Sequence, residues 1–126
     1  NMSHISKIEL EVKDLAVLSQ ACARLGLALI RCRKHFKWYG KIAQCDNNIK
    51  LHGDINEIGD IKKKKRYQIN CEFYDGAIEK TVGRQGGLLS QAYAVAKTKI
   101  EARRKGYSVF EQNTDTGVRL HIRINQ

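Results

Sequence analysis

The residues of this sequence that most clearly could bind a ligand are basic side chains, some of them beside aromatic rings. Lysine and arginine neutralise phosphates, and an exposed aromatic ring can stack on a nucleotide base. A solvated loop and a tryptophan buried in the core are the alternative explanations for such patterns. We treat three clusters as a candidate surface for nucleic acid or an acidic protein. They are Arg31, Arg33, Lys34, Lys37 and Trp38; Lys62, Lys63, Lys64, Lys65 and Arg66; and Arg119, His121 and Arg123.

A glycine-rich segment from 83 to 87 precedes a helical pattern. Backbone amides at a helix N-terminus can bind phosphate, and an arginine in the segment would add positive charge. The lysine and hydroxyl of a Walker motif are absent, as is the dinucleotide-binding fingerprint. A flexible connection between two elements is the alternative interpretation. The segment is a secondary candidate for anion binding, through Arg84, Gly86 and Gly87.

Catalytic and metal-binding patterns are absent from the cysteines and histidines. The four cysteines include no pair with the two-residue gap of a zinc knuckle or redox motif. Cys22 lies on the apolar side of a predicted helix and Cys71 on the apolar side of a predicted strand, so we expect buried free thiols. No two histidines have the spacing of a helical zinc protease motif, and no nucleophile elbow is present. We therefore assign no catalytic residue, metal or cofactor, and we do not expect an enzyme.

The composition indicates one globular domain with a strong positive charge. The chain has 126 residues, of which 42% are hydrophobic and 29% charged, as in an ordinary folded domain. Its 23 basic and 13 acidic residues give a net charge of +10, which favours an acidic partner. No signal peptide or membrane-length apolar run is recognised. We expect a single domain over 2–126, located in the cytoplasm and without membrane contact.

Hydrophobic periodicity predicts the elements that would hold these residues. Alternation over 8–12 predicts a strand, and Asp14 and Gly26 suit the start and stop of the helix that follows. A long second helix is predicted from about 88 to 105, where it is followed by Gly106.

Further strands are predicted at 67–73, 107–111 and 118–124. The dipeptide Asp75-Gly76 predicts a tight hairpin turn with a return strand over 77–82. The polar segment from 53 to 66 predicts an exposed basic loop.

Together these elements predict an α+β fold. We expect an antiparallel or mixed sheet of about five to seven strands with two helices packed on one face. If the second helix covers the apolar face of the sheet, Arg119, His121 and Arg123 point to solvent or to a partner. An uncovered sheet edge would allow a symmetric dimer.

Three runs near the C-terminus carry a resemblance to a known family. They are QAYAVA at 91–96, EARRKGY at 101–107 and TDTGVRL at 114–120, and MSHI at 2–5 fits the same pattern. The chain resembles the family of hypothetical chloroplast reading frame thirty-five, small uncharacterised proteins of plastids, cyanobacteria, other bacteria and phages. The middle of the chain departs from the family pattern, because 79–87 contains no tryptophan.

The resemblance implies an accessory role and no catalytic residues, since some bacterial members are encoded near ATPases of the AAA type. It also implies a plastid stroma location if the source is an alga. We therefore expect a non-catalytic accessory or adaptor protein that binds a larger protein partner, such as an AAA-type ATPase system. A nucleic-acid-binding module is the alternative, and an enzyme with a site assembled from distant residues is the third hypothesis.

Overall fold

The computed structural model describes residues 6–38, 41–51, 57–71 and 76–124. Within these ranges the chain forms nine strands, three α-helices and one 3-10 turn at Arg84–Gly86. The helices are α1 (Leu15–Arg24), α2 (Ala77–Val82) and α3 (Gly87–Arg104). The strands are β1 (Ser6–Val12), β2 (Leu27–Arg31), β3 (His35–Trp38), β4 (Lys41–Gln44), β5 (Asn47–Leu51), β6 (Glu57–Lys63), β7 (Arg66–Cys71), β8 (Ser108–Thr114) and β9 (Gly117–Arg123).

The central element is a five-stranded sheet in the order β1-β7-β6-β5-β2, and every neighbouring pair is antiparallel. Strands β3 and β4 form one separate hairpin, and β8 and β9 form another. The predicted α+β class is confirmed, with an antiparallel sheet. The final strands were expected in the same sheet, but they pair only with each other among the described residues.

Helices α1 and α3 share one apolar core with the sheet. The Asp14 side chain caps α1 by accepting a 2.8 Å hydrogen bond from the backbone N–H of Ala16, as the sequence predicts. Leu18 of α1, Leu89 of α3 and Ile69 of β7 are all fully buried in this core. Both long helices therefore occupy the same face of the sheet, because their apolar stripes must be buried against it.

The hairpin β3–β4 covers the opposite face of the sheet. Ile58 belongs to the helix-side core, so its neighbours Glu57 and Gly59 point to the other face. The ring of Phe36 is 1% exposed, and it lies so close to Gly59 that a Cβ there would be 2.3 Å from the ring. Glycine at this position is thus what allows β3 to pack on β6.

Two predicted elements are wrong. The exposed loop expected near 53–66 contains strand β6, whose first four residues, Glu57 to Asp60, are buried. Its polar residues suggested a loop, yet Glu57 and Asp60 accept hydrogen bonds from Asn48 and Asn47 of the neighbouring strand β5. Lys62 to Arg66 are exposed as predicted, and 53–56 lie outside the described residues. The return strand expected at 77–82 is instead helix α2. Gly76, the residue before this helix, adopts a left-handed backbone conformation. The predicted turn residue Asp75 lies outside the described residues.

The C-terminal hairpin β8–β9 packs on α3 and is tied to both long helices by Glu111. Its carboxylate accepts a 2.5 Å hydrogen bond from Arg24 of α1 and a second bond from Lys99 of α3. The two bonds lower the pKa of Glu111 to about 2, and the bond from Arg24 has the larger effect. One carboxylate therefore joins three elements.

No helix in the described ranges is long and apolar enough to cross a membrane.

Candidate functional site

The sheet register brings basic residues from distant parts of the sequence to one end of the sheet. Lys62 of β6 pairs with Tyr67 of β7, and Tyr67 in turn pairs with Val12 of β1. The turn between β6 and β7 and the residue after Val12, Lys13, therefore lie at the same end. The side chains of Lys13 and of Lys62 through Arg66 are exposed there.

These side chains line an open depression that we call the basic cleft. It has a volume of about 890 Å³. Its lining residues are Glu11, Lys13, Lys62, Lys63, Lys64, Lys65, Arg66 and Gln68. Six cations thus face one carboxylate, and that carboxylate lies 3.5 Å from the Lys13 ammonium.

Helix α3 lines a second depression, which shares Glu11 and Lys13 with the cleft. The Tyr93 hydroxyl accepts hydrogen bonds from the backbone N–H groups of Lys13 at 3.2 Å and Asp14 at 3.4 Å. This anchors α3 at the junction between β1 and α1. The charged residues that line this second depression are three cations, Lys13, Lys97 and Arg104, and three carboxylates, Glu11, Asp14 and Glu101.

Sequence reasoning did not assign Lys13, Lys97 or Arg104 to the candidate surface. Lys97 and Arg104 follow Tyr93 on one side of α3, since they are four and eleven residues further along the helix. That spacing was available in the sequence as a signal. The position of Lys13 depends on the pairing of β1 with β7, which is a tertiary property.

The first predicted cluster adjoins the basic cleft through Asp46. One carboxylate oxygen of Asp46 lies 3.8 Å from the Lys34 ammonium. The other accepts a 2.7 Å hydrogen bond from the backbone N–H of Lys62. Arg31 and Arg33 are also exposed in this part of the chain. The structure therefore brings Lys34 of the first cluster next to the second cluster.

Arg33 and Lys37 of the first cluster lie near Glu57, at the other end of β6. Lys37 is exposed on β3, and its backbone N–H donates to the buried carboxylate of Glu57 at 3.0 Å. The same carboxylate lies 3.9 Å from the Arg33 guanidinium. Trp38 ends β3, but its side chain lies outside the described residues.

The third predicted cluster forms a separate surface on β9. Arg119, His121 and Arg123 are exposed, as predicted. The Arg123 guanidinium lies 5.6 Å from the centre of the Phe110 ring, a cation–π distance. His121 Nε2 and Gln112 Oε1 are 2.9 Å apart. Alternation along β9 places these three side chains on one face of the hairpin.

The secondary anion candidate lies at the start of α3. Arg84 and Gly87 are exposed, but Gly86 is buried against Ile8. The N–H of Gly86 donates to the Gly83 carbonyl at 2.9 Å, and that of Gly87 donates to the Arg84 carbonyl. Two of its amides are thus already used, and anion binding at this turn stays a prediction.

A buried carboxylate lies behind the basic end of the sheet. Asp60 is 0% exposed, and its Oδ2 accepts a 3.0 Å hydrogen bond from Asn47. Its Oδ1 is buried without a hydrogen-bond partner among the described residues. Burial raises the pKa of Asp60 to about 6. The hydrogen bond from Asn47 lowers this pKa, and the negative charge of Asp46 raises it further.

Two neighbouring thiols share this environment. Burial and the charge of Asp60 raise the pKa of Cys22 to about 12. Burial and the charge of Asp46 raise the pKa of Cys45 to about 11. Both thiols remain protonated at neutral pH, so neither supplies a thiolate nucleophile. Within the described ranges no group of three or more histidine, cysteine, aspartate or glutamate side chains is arranged to hold a metal ion.

The replacement Asp60→Asn should raise stability most at alkaline pH. Because the folded pKa of about 6 exceeds the unfolded value of about 3.9, Asp60 makes the native state more stable as pH falls from about 7 to 4. Asp60→Asn removes that dependence and is expected to add roughly 1 to 3 kcal/mol to the free energy of unfolding at pH 8. Urea denaturation at pH 4.5 and pH 8 measures the difference. Exposed Asp115→Asn is the control, and an equal effect of Asp60→Asn at both pH values would contradict the assignment.

Comparison of the chain with protein-family models, curated proteins and solved structures finds no match. The resemblance to the family of hypothetical chloroplast reading frame thirty-five therefore stays a prediction from sequence motifs. The case for function rests on the arrangement of this chain's own residues.

Proposed function

We propose that this protein binds nucleic acid through the basic cleft. The observation that carries the proposal is the convergence of cations from the end of β1 and from the β6–β7 turn in one cleft at one end of the sheet. A polyphosphate backbone requires several exposed cations in one continuous surface. The net charge of +10 would add attraction at long range.

The balance of charge at the cleft supports a phosphate ligand. Its cations have few internal partners: Lys62 to Arg66 are exposed, and Glu11 is the single carboxylate in the lining. Keeping this many like charges together costs free energy, which a bound polyanion would offset by releasing its counterions.

A salt titration tests the proposal directly. Binding of labelled RNA and DNA, single- and double-stranded, is measured by fluorescence anisotropy between 50 and about 300 mM salt, the range over which counterion release is pronounced. We expect micromolar or tighter binding at about 150 mM salt, with a steep linear dependence of log affinity on log salt. Binding confined to the lowest salt would mean that the positive charge is generic, and the proposal would fail.

A protein-binding accessory role is the second candidate, and the exposed apolar side chains of the C-terminal hairpin favour it. Phe110 is 53% exposed, Ile122 is 48% exposed and Ile124 is 60% exposed. Phe110 stands opposite His121 on the face that carries Arg119 and Arg123, and Ile122 alternates to the other face. Exposed apolar side chains on a hairpin that also carries cations fit an acidic partner with apolar anchors. An AAA-type ATPase system is the partner that the sequence resemblance implies. Ile122→Ser should then weaken co-purification with such a partner and leave nucleic-acid binding unchanged.

The location proposed with either function is the cytoplasm, or a plastid stroma for an algal source. The four cysteines are all free thiols, which fits a reducing compartment.

A further inference from the structure

The pairing of β1 with β7 is interrupted next to the basic cleft. Ile8 pairs with Ile69 and Val12 pairs with Tyr67, so three residues of β1 stand opposite one residue of β7, Gln68. Extra residues on one strand disrupt the ladder and bend the strand. Here the irregularity coincides with a partly open cavity of about 290 Å³ between the two strands.

The cavity has an apolar wall and a charged rim. Ile8, Leu10 and Tyr67 provide the wall, and Glu11 and Gln68 add polar groups. Lys63 and Arg66 line both this cavity and the basic cleft. A ligand could thus place a flat apolar group in the cavity and its phosphates in the cleft.

We infer that this cavity receives one unstacked base of a single-stranded nucleic acid whose backbone lies in the basic cleft. The inference rests on the proposed function and deepens it, since it names the class of nucleic acid. A base needs an aromatic or apolar surface for its face and a few polar groups for its edge. The volume of about 290 Å³ is near the lower end of the usual range for ligand pockets, which suits a single base better than a larger ligand.

The geometry also explains why a duplex would not satisfy the site. Bases in a duplex are stacked and paired, and removing one costs a few kcal/mol. A single strand can turn a base outward at a much lower cost. Stacking on an aromatic side chain then adds roughly five- to 150-fold in affinity, the equivalent of about 1 to 3 kcal/mol.

Filling the cavity tests the inference without changing any charge. The variant Leu10→Phe should lower affinity for a single-stranded oligonucleotide about tenfold at physiological salt, while duplex affinity and the salt slope stay the same. Leu29→Phe is the matched control, since Leu29 is also partly buried against the core but lies on the opposite edge strand β2. Circular dichroism and thermal unfolding establish that both variants fold.

A second measurement does not depend on any variant. An oligonucleotide with abasic sites at every position retains the phosphates but has no base to insert. The wild-type protein should bind it about tenfold more weakly than the intact strand, at a similar salt slope. Equal affinity for the abasic and intact strands, or for single strands and duplex, would overturn the inference and leave the proposed function standing. Absence of binding to all four nucleic acids at physiological salt would overturn both.

Discussion

Replacing Lys64 and Lys65 with glutamine lowers nucleic-acid affinity about tenfold at 150 mM salt if the basic cleft is the binding surface. Both lysines lie in the exposed turn between β6 and β7, where their ammonium groups would contact phosphates. Each phosphate contact contributes about 0.9 to the slope of log affinity against log salt, so the slope should fall by roughly two. Anisotropy titrations over a range of salt measure both quantities.

The matched control for this change removes the same charge from the other end of the molecule. Lys50 and Lys80 are exposed; Lys50 pairs with Glu57 at the far end of β6, and Lys80 belongs to α2, beyond the far end of β7. The double glutamine variant at these positions should retain nearly the full affinity and slope. If both double variants lose affinity equally, net charge and not the cleft is responsible. Thermal unfolding should be unchanged in both, because none of these side chains is buried.

A methyl group at position 59 has a large expected effect on stability. The Cβ of Gly59→Ala would lie 2.3 Å from two carbon atoms of the Phe36 ring, so the ring and the β3–β4 hairpin must move. Overpacking of this kind costs roughly 1 to 3 kcal/mol of unfolding free energy, measured by urea denaturation. Gly87→Ala is the control: its Cβ meets nothing within 4 Å and its φ of -60° is helical, so it should be stabilising by about 0.4 to 1 kcal/mol.

A double-mutant cycle separates this clash from other effects of the added methyl group. Phe36→Ala alone should cost roughly 3 to 5 kcal/mol, because it empties a buried site. In the Phe36→Ala background, Gly59→Ala has no ring to meet and should cost much less than in the wild type. Additive losses in the double variant would show that the methyl group acts on β6 itself and not through Phe36.

Two segments, 14–26 and 75–82, show how far local sequence patterns predict structure. The sequence at 14–26 predicts a capped helix, and the observed α1 agrees within two residues at either end because capping and apolar periodicity act locally. The sequence at 75–82 predicts a hairpin, but α2 forms there instead. Ile78 and Val82 are buried in the core with four-residue spacing, so tertiary packing decided between helix and strand.

Strand β6 shows why polar residues misled the prediction. Its Glu57 and Asp60 resemble surface residues, yet both are buried. Asn48 donates to Glu57 at 3.0 Å and Asn47 donates to Asp60 at 3.0 Å, so each carboxylate has a partner from the neighbouring strand. These pairs depend on the register of β5 with β6, and sequence patterns do not report register between distant strands.

By itself the sequence determined the α+β class, the two long helices, four of the nine described strands, the strong positive charge and the individual basic clusters. These properties arise from periodicity, capping and composition, which are local or additive. Only the tertiary structure decided which clusters meet. Strand pairing brings Lys13 beside Lys62 to Arg66, Asp46 brings Lys34 next to them, and the hairpin keeps Arg119 to Arg123 on a separate surface. The cleft and the cavity at the β1–β7 irregularity exist because hydrogen bonding between distant strands places side chains that are far apart in sequence at one end of a sheet.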